Sequence, residues 1–368
     1  MRARWPWQPE FCAFRCLRHT RYCNATCQHD HWRRGHKQMC KKIHRGGNAE
    51  QYHADKKYKE AVAVAVEACA EDTKGQTCYI CTQALHWKTK EGLVRMCACR
   101  GTAGFAHVSC LAEQAKILMD EVEENNLGFK VMASRWTRWH TCSLCEQRYH
   151  GVVYCALGWA CWKTYVGRVE GDLARRFAMQ QLGSGLSAAK RHEDALSVKE
   201  ADLSMRRRLG DSEEGILVAR SNLAVTYTSI GRFEEALRTE RDVYSGRMKL
   251  NGEEHERTLR VAYNYSSSLI SLKRFEEAKS LVRKTLPVAR RVLGESNDIT
   301  LRMRCNYAIA LRNDEGATLD DLREAVATLT DTERIARRVF GGAHPLTVSI
   351  ELSLREARTV LRAHETQP

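Results

Sequence analysis

From about residue 170 onward, apolar side chains recur at intervals of three and four, the spacing that gathers them on one face of an α-helix, and this pattern itself repeats. Gly210, Gly252 and Gly294 stand 42 residues apart, as do Asn222, Asn264 and Asn306. GRFEEAL at 231 returns as KRFEEAK at 273, with KRHEDAL at 190 one residue out of phase. DLREA at 321 marks a fourth copy, displaced by a five-residue insertion within RNDEGATLD. Each unit predicts two amphipathic helices, one around SNLAVTYTSI and one around FEEALRTERDVY, with a turn at Gly231 between them. Small residues recur where helices must approach closely (Ala224, Ser266, Ala308), and larger ones where a gap must be filled (Tyr227, Leu269, Leu311). A unit this short cannot bury its own apolar face, so neighbours must stack into an α-solenoid.

The first half is patterned differently. HADKKYKEAVAVAVEACAEDTKG predicts one helix from near Asp55 to near Glu71. The longest apolar runs, AVAVAVEACA and VVYCALGWACW, are far shorter than the roughly twenty residues of a membrane span, so no membrane segment is expected. Fifteen of the sixteen cysteines lie in the first 161 residues, mostly in close pairs, and the opening MRARWPWQPE is unlike a secretory leader. Thiolate metal ligands in a reducing intracellular compartment, cytoplasmic or nuclear, are therefore expected rather than disulfides. Net charge is +14, of which residues 1–50 carry +8, a surplus that could attract nucleic acid or an acidic partner or form an ordinary solvated surface.

The central cysteines run Cys78-x2-Cys81, fifteen residues, Cys97-x-Cys99, seven residues, His107-x2-Cys110, thirty-one residues, Cys142-x2-Cys145. Zinc takes four Cys or His ligands tetrahedrally, so eight ligands in four pairs make two closed structural sites with no position left for an activated water. Buried free cysteines would not keep this spacing.

This ligand order, with CACRGTAGFAHVSCL and CSLCEQRY, resembles the RING-CH (RING-variant) family; PHD fingers, which share the order, come second. The resemblance implies a cross-brace, with Cys78, Cys81, His107 and Cys110 on one zinc and Cys97, Cys99, Cys142 and Cys145 on the other. It also implies recruitment of a ubiquitin-conjugating enzyme without a covalent nucleophile, Ile80 being the apolar docking position. Gln114 stands where the family often has Trp, Ser143 where it has Pro, and Glu146 where a basic residue follows the last ligand. The segment 111–141 reads as a loop longer than usual, with Trp136 or Trp139 as a substitute aromatic.

Upstream, RYCNATCQHDHWRRGHKQMC resembles the carboxyl half of a MYND finger, a peptide-binding zinc module. The family's interleaved scheme implies one site from Cys12, Cys16, His36 and Cys40, with Cys23 and Cys27 as part of a second, and so one or two further zinc ions.

The 42-residue repeats, with VFGGAHPLTV at 339–348, resemble tetratricopeptide repeats of the kinesin-light-chain type. In that family asparagines on the inner helices clamp extended peptides, which points to Asn222, Asn264 and Asn306, with Arg260 and Arg302 suited to an acidic ligand. The same asparagines could instead tie adjacent helices together.

The expected protein is thus mainly α, with small zinc-bound fingers followed by a solenoid of helix pairs. The expected divisions are a partial MYND-like finger at 1–45, a helical linker at 46–76, a RING-CH-like double-zinc domain at 77–166, and about four repeats plus a terminal helix at 167–366. The expected function is a ubiquitin ligase whose solenoid binds substrate peptides. The alternatives are a non-catalytic adaptor and a PHD-like chromatin reader.

Overall fold

The computed structural model describes residues 49–365, and the candidate ligands Cys12, Cys16, Cys23, Cys27, His36 and Cys40 lie outside them. The fold is built from α-helices, and the described residues contain no strand beyond an isolated bridge between Val94 and Ala106. Two compact units are distinguished, the first holding described residues 49–96, 104–141 and 149–185, the second 97–103, 142–148 and 186–365.

In the first unit, α1 (Ala49–Ala68) buries Ala54, Tyr58, Ala61, Val62 and Ala65, the i, i+4, i+7, i+8 and i+11 positions of one face. The sequence placed this helix at 55–71, but it is already helical at Ala49. The segment 111–141, read as a loop, is mostly helical: α2 (Val108–Glu124), α3 (Phe129–Trp136) and a 3-10 turn (Thr137–Trp139). Leu111, Ala115, Met119 and Val122 are buried at helical spacing.

VVYCALGWACW lies within α4 (Gly151–Tyr165), apolar on nearly every side and buried at nine positions, including Cys155 and Cys161. It meets α5 (Leu173–Ala188) through two glycines. A Cβ on Gly158 would stand 3.2 Å from the Gln181 carbonyl oxygen, and one on Gly185 would stand 2.8 Å from that of Tyr154. Trp136 and Trp139 pack against Tyr165, Trp136 also meets Phe177, and Gln181 donates to the Trp139 carbonyl at 3.0 Å. Both tryptophans are core, 7% and 0% exposed, so neither serves as a surface aromatic; their rings complete the packing around α4.

In the second unit the helices come in antiparallel pairs: α6 (His192–Arg208), α7 (Glu213–Ser229), α8 (Phe233–Asn251), α9 (Glu256–Ser271), α10 (Phe275–Leu293), α11 (Asp298–Asn313), α12 (Leu319–Phe340) and α13 (Pro345–Glu365). Ala195, Ala236 and Ala278 are fully buried in successive units, as are Ala224, Ser266 and Ala308. After the even-numbered helices the chain turns at Gly210, Gly252, Gly294 and Gly341, all at positive φ that glycine adopts freely. The inserted residues before α12 end at Thr318, whose hydroxyl accepts from the Asp321 N–H while Asp321 accepts from the Thr318 N–H.

Candidate metal centres

The ligand atoms of Cys78, Cys81, His107 and Cys110 lie within 4.8 Å of one another in the first unit, and those of Cys97, Cys99, Cys142 and Cys145 do so in the second. The two Cys-x2-Cys pairs fold alike. Cys78 N–H donates to the Gln83 carbonyl (3.0 Å) and Thr82 N–H to that of Cys78 (2.8 Å), while Cys142 N–H donates to Gln147 (2.9 Å) and Glu146 N–H back to Cys142 (3.0 Å). Thr82 and Glu146, each just after a second cysteine, take positive φ to close the turn. Within each turn the apolar residue's N–H reaches sulfur, Ile80 to Cys78 Sγ at 3.4 Å and Leu144 to Cys142 Sγ at 3.5 Å.

His107 precedes α2, where a capping side chain would ordinarily sit, but its ring turns to the cysteines: Nδ1 stands 3.3 Å from Cys81 Sγ and 3.5 Å from Cys110 Sγ. Glu91 takes over the cap, its carboxylate accepting from the Ser109 N–H (2.6 Å) and hydroxyl (2.9 Å). Nε2 lies 3.3 Å from the Ala84 carbonyl, an acceptor that leaves Nδ1 free as a ligand. Burial holds the imidazole below its ordinary pKa and so in the neutral, ligating form.

These separations suit zinc. Tetrahedral bonds of about 2.3 Å to sulfur and 2.0–2.1 Å to nitrogen put ligand atoms roughly 3.5–3.8 Å apart, and Cys99 Sγ and Cys142 Sγ are 3.7 Å apart. Without a cation, such crowding resists ionisation. Burial and the Cys142 charge push the Cys99 thiol up to about 12, and a hydrogen bond with Cys142 together with burial raises Cys97 further. Burial and the Cys78 charge also raise Cys110. Cys78 is lowered: burial acts upward, but backbone hydrogen bonds from Cys81, His107 and Ile80 outweigh it. A divalent ion reverses the balance by neutralising the clustered thiolates.

Around the first cluster, Ile80 is 37% exposed, and the loop fixed by His107 at Ala84 presents Leu85 at 58% and Trp87 at 68%. Sequence reading missed Leu85 and Trp87; the only signal was an aromatic stranded in the polar run HWKTK.

In the solenoid, Asn306 is buried, and its amide donates to Ser266 Oγ and Ser267 Oγ at 2.8 Å and faces the Tyr263 carbonyl at 3.4 Å, joining α11 to α9. Asn222 and Asn264 are half-buried, with no side-chain hydrogen bond among the described residues. Arg260 donates to Glu256 at 2.6 Å, and Arg302 stands 3.8 Å from Asp298 and 5.9 Å over the Tyr263 ring.

Residues 78–127 match the RING-variant domain, and residues 216–257 and 258–298 match the tetratricopeptide repeat. No curated protein matches the chain significantly. Similar solved structures include two of the nearly identical TPR-like repeats of a Podosopora anserina protein assigned to kinesin light chain, one of them a point variant. Each is 16% identical and covers 63% of this chain and 97% of its own, with TM-scores of 0.39 for the variant and 0.38 for the other. BtubC (BKLC) from P. vanneervenii is 12% identical, covering 71% of this chain and 93% of its own, with a TM-score of 0.38. No helix among the described residues is long and apolar enough to cross a membrane. The chain carries a RING-variant domain with two clusters that fit zinc, joined in one sequence to tetratricopeptide repeats, modules for binding other proteins.

Proposed function

We propose that the protein is a ubiquitin ligase that works by scaffolding: residues 77–166 dock a ubiquitin-conjugating enzyme, and residues 167–366 hold substrate or partner peptides. Zinc at Cys78, Cys81, His107 and Cys110 would act structurally, as would zinc at Cys97, Cys99, Cys142 and Cys145. The observation that carries the reading is the exposed apolar set around the first cluster. Ile80 rides on the cysteine turn through its N–H to Cys78 Sγ, and His107 fixes the start of the loop bearing Leu85 and Trp87. Exposed apolar side chains of this size gain free energy when a partner covers them. Trp87 supplies an aromatic that Gln114 does not. Catalysis then consists of proximity, holding a loaded enzyme near a bound substrate. On the solenoid, Asn222 and Asn264 are the asparagines with side chains available to a peptide backbone, whereas Asn306 is engaged within the fold.

The test is autoubiquitination by the zinc-loaded full chain across a panel of conjugating enzymes, with Ile80→Ala and Cys97→Ser beside it. Chain formation that both substitutions abolish supports the reading. At least two bound zinc ions without chains from any enzyme would favour the adaptor, a role consistent with Glu146 replacing the family's basic residue and standing exposed.

A further inference from the structure

The four turn glycines of the solenoid are not equivalent. Around Gly210, Gly252 and Gly294 the space that a Cβ would occupy is empty, but at Gly341 it is filled by the guanidinium of Arg100, with Nη2 at 3.3 Å, Nε at 3.5 Å and Cζ at 3.7 Å. Arg100 Nη2 also donates at 3.4 Å to the Arg337 carbonyl, which accepts the Gly341 N–H at 3.0 Å as α12 ends. Arg100 and this turn both belong to the second unit.

The sequence of the turn has changed in step. An acid follows the glycine in the first three turns (Asp211, Glu253, Glu295), and Asp211 and Glu295 pair with Arg206 and Arg304 of their neighbouring helices. In the fourth turn the residue is Gly342. Two successive glycines have no side chain to hold the turn, and they leave the surface bare enough for a guanidinium to lie on it. The last carbonyls of a helix lack partners and carry the negative end of its dipole, so a cation there is favourable. The Arg337 guanidinium also lies against this turn, at Gly342, but its charge is already paired with Glu333 and Glu351.

Arg100 directly follows the ligand Cys99, in a loop bent at Gly101 and Gly104, both at positive φ. We infer that Arg100 is a latch, holding the final turn of the solenoid against the loop of the second metal cluster, so that metal loading at Cys97, Cys99, Cys142 and Cys145 orders the joint between α12 and α13. The docking half of this inference stands on the contacts alone. The coupling half rests on the reading that these four cysteines bind zinc.

The experiment is amide hydrogen exchange followed by mass spectrometry on the full chain, with zinc content measured in parallel. Arg100 is exposed, so Arg100→Ala should fold and keep its zinc. Exchange in peptides covering 337–345 is expected to rise about two- to five-fold, the worth of a cation at a helix end, while the equivalent turn at Gly294 stays as in the native protein. Arg100→Lys, which keeps the charge but not the flat guanidinium, should fall between. Unchanged exchange at 337–345 in Arg100→Ala overturns the latch. Cys99→Ser, which removes a ligand of the second cluster, should raise the same peptides as Arg100→Ala does. If Arg100→Ala has the effect and Cys99→Ser does not, the docking stands and its dependence on metal is refuted. A chain that binds no zinc while responding to Arg100→Ala would sink the metal assignment and leave the contact intact.

Discussion

Glu240 occupies a position at which successive repeats carry Lys199, Glu240 and Val282, all three buried. The partners of the first two change in step as Thr226 and Ser268: Lys199 Nζ donates to Thr226 Oγ1 at 2.7 Å, and Ser268 Oγ donates to Glu240 Oε2 at 2.6 Å. Burial outweighs the Ser268 bond and pushes the Glu240 carboxyl up to about 7. Between its ordinary value and 7 the folded state therefore holds a proton that the unfolded state releases. The stabilisation is fully present below the ordinary value and is lost as pH rises through 7. Glu240→Gln, whose amide oxygen can still accept from Ser268, should remove this dependence and make the protein more stable at pH 8 by up to about 3 kcal/mol, with little gain at pH 5. Denaturant melts of both proteins at the two pH values check it; a gain of equal size at both would mean that protonation is not involved. The cysteine pairs were legible because ligation forces close spacing. Exposure leaves no such mark: nothing in the sequence separates the exposed Trp87 from the buried Trp136 and Trp139.

At the scale of the element, α2 depends on a residue far from it in sequence. His107, the residue before its first turn, faces the cysteines, and Glu91 supplies the missing cap through Ser109, whose hydroxyl also lies 3.0 Å from Tyr58 Oη on α1. Glu91→Ala should cost about 1–2 kcal/mol from the lost cap and hydrogen bonds. By loosening the first turn it should also speed zinc loss from the cluster containing His107 and Cys110. Thermal melts and zinc-release kinetics test both, with release from the four-cysteine cluster expected unchanged. The crossing of α4 and α5 is equally local. Gly185→Ala would drive a methyl group against the Tyr154 carbonyl oxygen and the Cys155 Cα, and backbone cannot yield as a side-chain tip does. The expected loss is roughly 1–3 kcal/mol, read as a lower melting temperature. Solenoid helices were legible because a 42-residue period repeats the same small and large positions. α3 is eight residues long and has one buried residue, Trp136, too little pattern to separate it from a loop.

For the whole molecule, the metal clusters and the solenoid draw stability from different sources, and this sets what metal removal should do. The zinc candidates among the described residues lie at 78–110 and 142–145, outside α6–α13. Those solenoid helices are held by neighbour contacts that no ion completes, such as Leu259, Ala262, Val282 and Met303 packing α9, α10 and α11 together. Zinc ligation, by contrast, requires ionised thiolates and a neutral imidazole, so protons compete with the metal and affinity falls as pH falls. A strong chelator at about pH 7, or acid without chelator, should release two zinc equivalents from the described clusters, plus any bound by the amino-terminal cysteines. The far-UV helical signal should keep most of its amplitude, because most of the helical residues described lie in the solenoid. A zinc-sensitive dye and circular dichroism recorded on the same sample decide the matter. Helicity that collapses together with zinc release would mean that the solenoid cannot stand without the ions, and its repeats would then have to be treated as one cooperative body with the metal clusters.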